Sequence, residues 1–102
     1  MEAYHTSTLF LNDAKEQAKK RGYNPNKLFL AKDGVHKLTY YSPEGIRHFG
    51  RRHYGDYLFY KRYKPSIANK KKSQFRASHS EITKIHDLDK YSANELAINI
   101  LW

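Results

Sequence analysis

The 102-residue sequence contains no cysteine and no long apolar run. Without a thiol, disulfide bonds, thiolate catalysis and zinc–thiolate sites are excluded. No apolar run approaches the roughly 18 residues that a membrane-spanning helix needs, so we expect no transmembrane segment. The first residues also lack the basic start and apolar core of a secretory signal. We therefore expect an intracellular protein, or one that acts inside a particle assembled in a cell.

Recognisable catalytic motifs are missing as well. The sequence has no G-x-S-x-G motif, no P-loop and no dinucleotide-binding fingerprint. Ser78, His79 and Glu81 are the residue types of a hydrolase triad. Near neighbours on one helix point in different directions, so they cannot adopt triad geometry. We expect no catalytic site, no cofactor and no small-molecule substrate.

The net charge is concentrated in one stretch of 30 residues. Between Arg47 and Arg76 lie ten basic residues and a single acid, Asp56, so this stretch carries the whole net charge of +9. The ten cations are Arg47, Arg51, Arg52, Lys61, Arg62, Lys64, Lys70, Lys71, Lys72 and Arg76. Because charges of one sign repel each other within a fold, such a block indicates an anionic partner.

Aromatic residues are interleaved with these cations, and the chain has nine tyrosines in all. Lys and Arg neutralise phosphates, and aromatic rings can stack on bases. For the rings, the favoured interpretation is that they form the core; for the cations, it is contact with a polyanion. No base-specific reader is visible, so we expect phosphate contacts without sequence specificity.

The sequence predicts one α+β domain spanning residues 1–102. A helix is predicted from Thr8 to Arg21, capped by Ser7 or Thr8 and followed by Gly22. Three strands are predicted at residues 27–31, 35–41 and 46–49, with turns at 33–34 and 43–45. Consecutive strands joined by tight turns form an antiparallel meander, here with two or three helices after it.

The second half of the chain is predicted to contain the helices that follow the meander. Asp56 is a predicted cap for a helix from Tyr57 to Tyr63 that Pro65 ends. Residues 64–73 are either a polar linker or the start of a helix, and a helix follows from Ser73 to about Ile85. After a predicted turn at residues 86–89, Ser92 and Glu95 form a capping box. The last helix, from Ala93 to Leu101, is apolar on most sides, and we expect Trp102 to anchor it.

His48, His53 and Asp56 lie close together in the sequence around a glycine-flanked loop. They allow a third hypothesis, a small metal-dependent nuclease. Their spacing matches no known ligand pattern, and the surrounding cations oppose a divalent metal. His48 is better explained as a strand residue and His53 as a loop residue, so we predict no metal site.

Two sequence segments resemble a known group of proteins. The first is Ile46-Arg47-His48-Phe49-Gly50 followed by Tyr54-Gly55-Asp56-Tyr57, and the second is Tyr91-Ser92-Ala93-Asn94-Glu95-Leu96-Ala97-Ile98-Asn99-Ile100-Leu101-Trp102. Between them, residues 75–79 look like a shared helix start. Together these segments resemble small basic proteins of large double-stranded DNA viruses of eukaryotes, in the mimivirus-like, marseillevirus-like and chlorovirus-like groups. The resemblance covers about residues 35–102.

The resemblance implies a viral origin and a place in the virion, and it carries over no activity and no catalytic residues. Where the pattern has Gly before the Tyr of its second half, this chain has His53, so the loop between Gly50 and Gly55 is expected to differ in shape. The helix from Thr8 to Arg21 has no counterpart in the pattern.

The leading expectation is a non-enzymatic, virion-associated protein whose ten cations bind nucleic acid, expected to be DNA. The alternative is a minor capsid or inner-shell structural protein that docks on other virion proteins. For that role the candidate docking residues are Tyr57, Tyr60, Leu101 and Trp102. During infection, the expected location outside the virion is the cytoplasm or nucleus of the host cell.

Overall fold

The computed structural model describes the backbone of residues 2–85 and 90–102, and their side chains except those of residues 79–85. The five helices described are α1 (Glu2–His5), α2 (Thr8–Lys20), α3 (Tyr57–Tyr63), α4 (Pro65–Ile85) and α5 (Ala93–Leu96). The strands are β1 (Leu28–Leu30), β2 (His36–Ser42) and β3 (Gly45–Arg51). A 3-10 turn spans Pro25–Lys27 and a π-helical turn spans Ala97–Leu101. The predicted α+β class is confirmed.

Helix α2 forms where the sequence predicts it. The Ser7 side chain caps its first turn by accepting a hydrogen bond from the backbone N–H of Phe10. At the other end the chain leaves the helix at Gly22, whose φ of +86° is accessible to glycine without strain. Phe10, Ala14 and Ala18 recur every four residues and are all buried. This face therefore packs into the core, and α2 contacts β1 and the C-terminal π-helical turn.

The sheet is an antiparallel meander in the order β1-β2-β3, as predicted. Leu30 pairs with Leu38 across the first hairpin, whose loop is longer than a two-residue turn. The Asp33 carboxylate closes that loop by accepting hydrogen bonds from the N–H groups of Val35 and His36. In the second hairpin Ser42 pairs directly with Gly45. The predicted strands were correct to within two residues at each end.

One face of the sheet belongs to the core, and the opposite face is covered at Lys37 and Thr39 but open at one end. Leu28, Leu38 and Phe49 are fully buried on the core face. Strand alternation places Phe29, Tyr41 and Ile46 on the opposite face, where they remain 45–54% exposed. The Phe29 and Tyr41 rings pack edge to face there.

Helices α3 and α4 follow each other at a sharp corner and pack together. Asp56 caps α3 as predicted, because its carboxylate accepts the N–H of Phe59 at 2.9 Å. Of the two interpretations of residues 64–73, the helix start is confirmed and the linker is wrong, because α4 begins at Pro65 and not at Ser73. Proline is favoured at a first helical position, where its missing N–H has no partner to lose.

The C-terminal segment closes the core. Ser92 caps α5 by accepting the N–H of Glu95, as predicted, but the predicted continuous α-helix becomes a π-helical turn after Leu96. Trp102 is buried and stacks on Phe75 with 4.3 Å between ring centroids and 7° between planes. This confirms its anchoring role. The turn predicted at 86–89 lies outside the described residues.

Candidate nucleic-acid interface

Seven of the ten predicted cations lie on α3, on α4 or at the corner between them. They are Lys61, Arg62, Lys64, Lys70, Lys71, Lys72 and Arg76. The sequence has no Asp or Glu from Tyr57 to Ser80, so neither helix supplies its own carboxylate over this span. The other three cations, Arg47, Arg51 and Arg52, lie on β3 and in the loop after it.

Four cations interact electrostatically in the fold, and we term them the basic cluster: Arg21 just after α2, Lys61 on α3, and Lys72 and Arg76 on α4. Burial lowers the pKa of Lys72. The charges of Arg76, Arg21 and Lys61 lower that pKa further. Burial and the charge of Arg21 likewise lower the pKa of Arg76. The cluster is therefore a place where positive charges repel one another and where an anion would relieve that repulsion.

Aromatic rings and backbone groups hold the α4 cations in place. The Lys72 ammonium lies 4.5 Å from the centre of the Tyr57 ring, and that of Lys71 lies 5.9 Å from the Tyr60 ring. Arg76 Nη2 donates a hydrogen bond to the carbonyl of Ile98 at 3.3 Å. Its Nε is buried without a hydrogen-bond partner among the described residues. The rings of Tyr57 and Tyr60 thus support the cations rather than presenting open faces to bases.

Three of the ten cations are paired with carboxylates. Arg62 makes two hydrogen bonds to Asp13, at 2.9 and 3.0 Å. Arg52 lies 3.7 Å from Glu2, and Arg47 lies 3.9 Å from Glu44. Within the described part of the chain, no carboxylate lies at ion-pairing distance from the other seven, Arg51, Lys61, Lys64, Lys70, Lys71, Lys72 and Arg76. Among the residues whose side chains are described, the charge predicted from sequence therefore stays largely uncompensated.

The structure does not bring His48, His53 and Asp56 together. His48 hydrogen-bonds with the Thr39 hydroxyl at 2.8 Å, and His53 Nδ1 lies 3.6 Å from a Glu2 carboxylate oxygen. At His53 the backbone has a φ of +70°, the left-handed conformation that glycine favours. Among the residues described, no three His, Asp or Glu side chains are grouped to hold a metal ion.

Asp56 instead belongs to a buried charged network that sequence reasoning missed. Its carboxylate lies 2.8 Å from His5 Nε2 and 3.0 Å from Lys37 Nζ. Burial alone would raise the pKa of Asp56, but the hydrogen bond to His5 and the charge of Lys37 hold it below its usual value. This network ties α1, β2 and the loop before α3 together. Only the helix-capping role of Asp56 had a local sequence signal.

The four candidate docking residues have two kinds of environment. Tyr57 and Tyr60 are half-buried beneath Lys72 and Lys71. Leu101 and Trp102 are buried in the core of this chain. The side chains of the C-terminal pair therefore face inward and do not form a surface for another protein.

Comparison with protein-family models, curated proteins and solved structures finds no match to this chain. The resemblance to proteins of large DNA viruses therefore stays a prediction that rests on the sequence segments alone. No helix among the described residues is both long and apolar enough to cross a membrane.

Proposed function

We propose that this chain is a non-enzymatic protein that binds nucleic-acid phosphates without sequence specificity, through the cations of α3 and α4. The observation that carries the proposal is the basic cluster together with Lys64, Lys70 and Lys71 beside it in the sequence. These side chains have no carboxylate at ion-pairing distance among the described residues. An uncompensated block of this kind attracts a polyanion and releases its condensed counterions.

The types of side chain favour phosphate contact over base reading. Lysine predominates on α3 and α4, and its ammonium is a point charge that suits a phosphate but lacks the rigid fork of arginine. Arg62, which could form such a fork, is occupied by Asp13. Tyr57 and Tyr60 on α3 have lysine ammonium groups over their rings. Affinity is therefore expected to be similar for unrelated sequences.

The proposed phosphate contacts predict how strongly the binding affinity depends on salt concentration. A surface that engages six or more phosphates should lose about a thousandfold in affinity between 50 and 200 mM salt. Fluorescence anisotropy with labelled duplexes of unrelated sequence measures this slope directly. Steep and equal slopes for all sequences support the proposal. A shallow slope, or no binding at low salt to either DNA or RNA, contradicts it.

A structural role in a virus particle is the second candidate, and the open end of the sheet favours it. Phe29, Tyr41 and Ile46 are large apolar side chains that remain about half exposed. Grouped apolar side chains on a surface are typical of protein–protein contact. A stoichiometric, ordered place in purified particles, without salt-dependent binding of nucleic acid, would favour this second function over the first.

A further inference from the structure

A cleft lies where the loop after β3, helix α4 and the C-terminal segment meet. Its volume is about 510 Å³, which is within the range of pockets that hold small molecules. Tyr54, Phe75 and Trp102 supply aromatic side chains to its lining, and Arg51 supplies a cation. No Asp or Glu is among the described residues that line it. The cleft thus combines aromatic walls with positive charge.

One aromatic side chain of the cleft is open to a flat ring. Phe75 and Trp102 stack on each other, so their facing sides are occupied, and Trp102 is only 9% exposed. Tyr54 lines the same cleft and is 64% exposed, so its ring offers the open face. Because every nucleobase has an aromatic face, stacking on such side chains accepts any base and needs no hydrogen-bond code.

The positive charge at the cleft is available to a ligand. Arg51 is exposed and has no carboxylate at ion-pairing distance among the described residues. Arg51 and Tyr54 also line an adjoining open depression that contains Arg52 and His53. Lys37 forms part of the cleft lining, but its ammonium is held by Asp56. Because Arg52 and His53 lie beside the Glu2 carboxylate, we assign the charge that meets the ligand to Arg51.

The cleft is continuous along α4 with the cations of the proposed interface. Phe75, in the cleft wall, follows Lys71 by one helical turn, and Arg76 comes next in the chain. Tyr60, which underlies Lys71, packs against Trp102 with 6.2 Å between ring centroids. A strand whose phosphates follow α4 could therefore reach the cleft with one of its bases.

We infer that the cleft receives an unpaired nucleobase of a single-stranded nucleic acid, which stacks on Tyr54 beside the Phe75–Trp102 pair while Arg51 contacts an adjacent phosphate. This inference rests on the proposed function and deepens it. Bases in a duplex are already paired and stacked, so only a single strand can insert one without opening a helix. The cleft therefore makes the chain prefer single strands, whereas the phosphate contacts on α3 and α4 serve both forms.

Trp102 is the only tryptophan in the chain and it lines the cleft, so its fluorescence can report a ligand bound there. The wild type is titrated at low salt with oligothymidylate, with a duplex of equal phosphate number and with thymidine monophosphate. Two variants are compared with it, Tyr54→Ala and the control Tyr41→Ala, which removes an exposed tyrosine from the open end of the sheet. Binding is measured in parallel by anisotropy of labelled oligonucleotides.

The expected result is saturable quenching of Trp102 by oligothymidylate and tighter binding of the single strand than of the duplex. Loss of one base–aromatic contact in Tyr54→Ala should weaken single-strand binding about fivefold or more. Its duplex affinity and its salt slope should stay unchanged. The Tyr41→Ala control should behave as the wild type does.

Other outcomes separate this inference from the proposed function. One such outcome is that single-stranded and duplex nucleic acid bind with equal affinity, with unchanged Trp102 emission and no effect of Tyr54→Ala. That result overturns base binding in the cleft but agrees with the proposed phosphate contacts on α3 and α4. Quenching by thymidine monophosphate without quenching by oligothymidylate assigns the cleft to free nucleotides and overturns the single-strand role. Failure of every oligonucleotide to bind overturns the proposed function and the inference together.

Discussion

Lys37 and Asp56 form a buried ion pair, with 3.0 Å between Nζ and Oδ2, although 18 residues separate them in the chain. Both side chains are almost fully withdrawn from solvent. The Asp56 carboxylate also engages His5 and the first turn of α3. One acid therefore joins the N-terminal helix, the central strand and the start of the helix that carries part of the basic surface.

Asp56→Asn should strongly destabilise the fold. The substitution keeps the shape of the side chain but leaves the Lys37 ammonium buried without a counter-charge, a loss of about 3–5 kcal/mol for a broken buried pair. Urea unfolding followed by circular dichroism measures the change. The control is Glu16→Gln, which removes an exposed pair with Lys20 and should change stability by less than about 1 kcal/mol. Equal effects of the two substitutions would contradict a structural role for the buried pair.

The same carboxylate predicts how stability depends on pH. Because the pKa of Asp56 is lower in the folded chain than in the unfolded chain, its contribution is complete above the unfolded value of about 4. That contribution is lost as the pH falls through the folded pKa. The difference in unfolding free energy between wild type and Asp56→Asn should therefore shrink below about pH 4. A difference that stays constant from pH 7 to pH 2 would show that the protonation of Asp56 is not linked to folding stability.

Asp13 is expected to weaken the binding of nucleic acid because it neutralises Arg62 on α3. Asp13→Asn should free the guanidinium, raise affinity for duplex DNA at low salt and steepen the salt slope by up to about 1, the contribution of one phosphate. Anisotropy titrations across salt concentrations measure both quantities. In Asp13→Asn combined with Arg62→Gln the gain should vanish. A gain that persists in the double variant would mean that Arg62 is not the residue released.

Local sequence signals predicted much of the fold. Ser7, Asp56 and Ser92 were recognised as helix caps because a cap acts on a backbone N–H only a few residues away. The meander followed from strand alternation and from turn residues such as Gly34 and Gly45. These features depend on residues that are close in the sequence, so sequence patterns were enough to predict them.

Features that depend on distant partners were missed. The composition of the lysine-rich start of α4 could not distinguish a linker from a helix. Packing on α3 and the rings beneath Lys71 and Lys72 support the helix. Arg21 lies outside the basic stretch of sequence and joins the cluster only through folding. Lys37 in a strand gave no sign that it was buried, because its counter-charge lies beyond an entire hairpin.

The central claim is that the position of the cations on α3 and α4, and not total charge, produces binding. The direct test compares two triple variants with the same loss of charge: Lys61, Lys64 and Lys70 changed to Gln, and Lys19, Lys27 and Lys32 changed to Gln. All six side chains are exposed. The first variant should make the salt slope for duplex DNA shallower by about 2–3, and the second should keep it near the wild-type value. Equal losses in the two variants, or none in the first, would contradict the account.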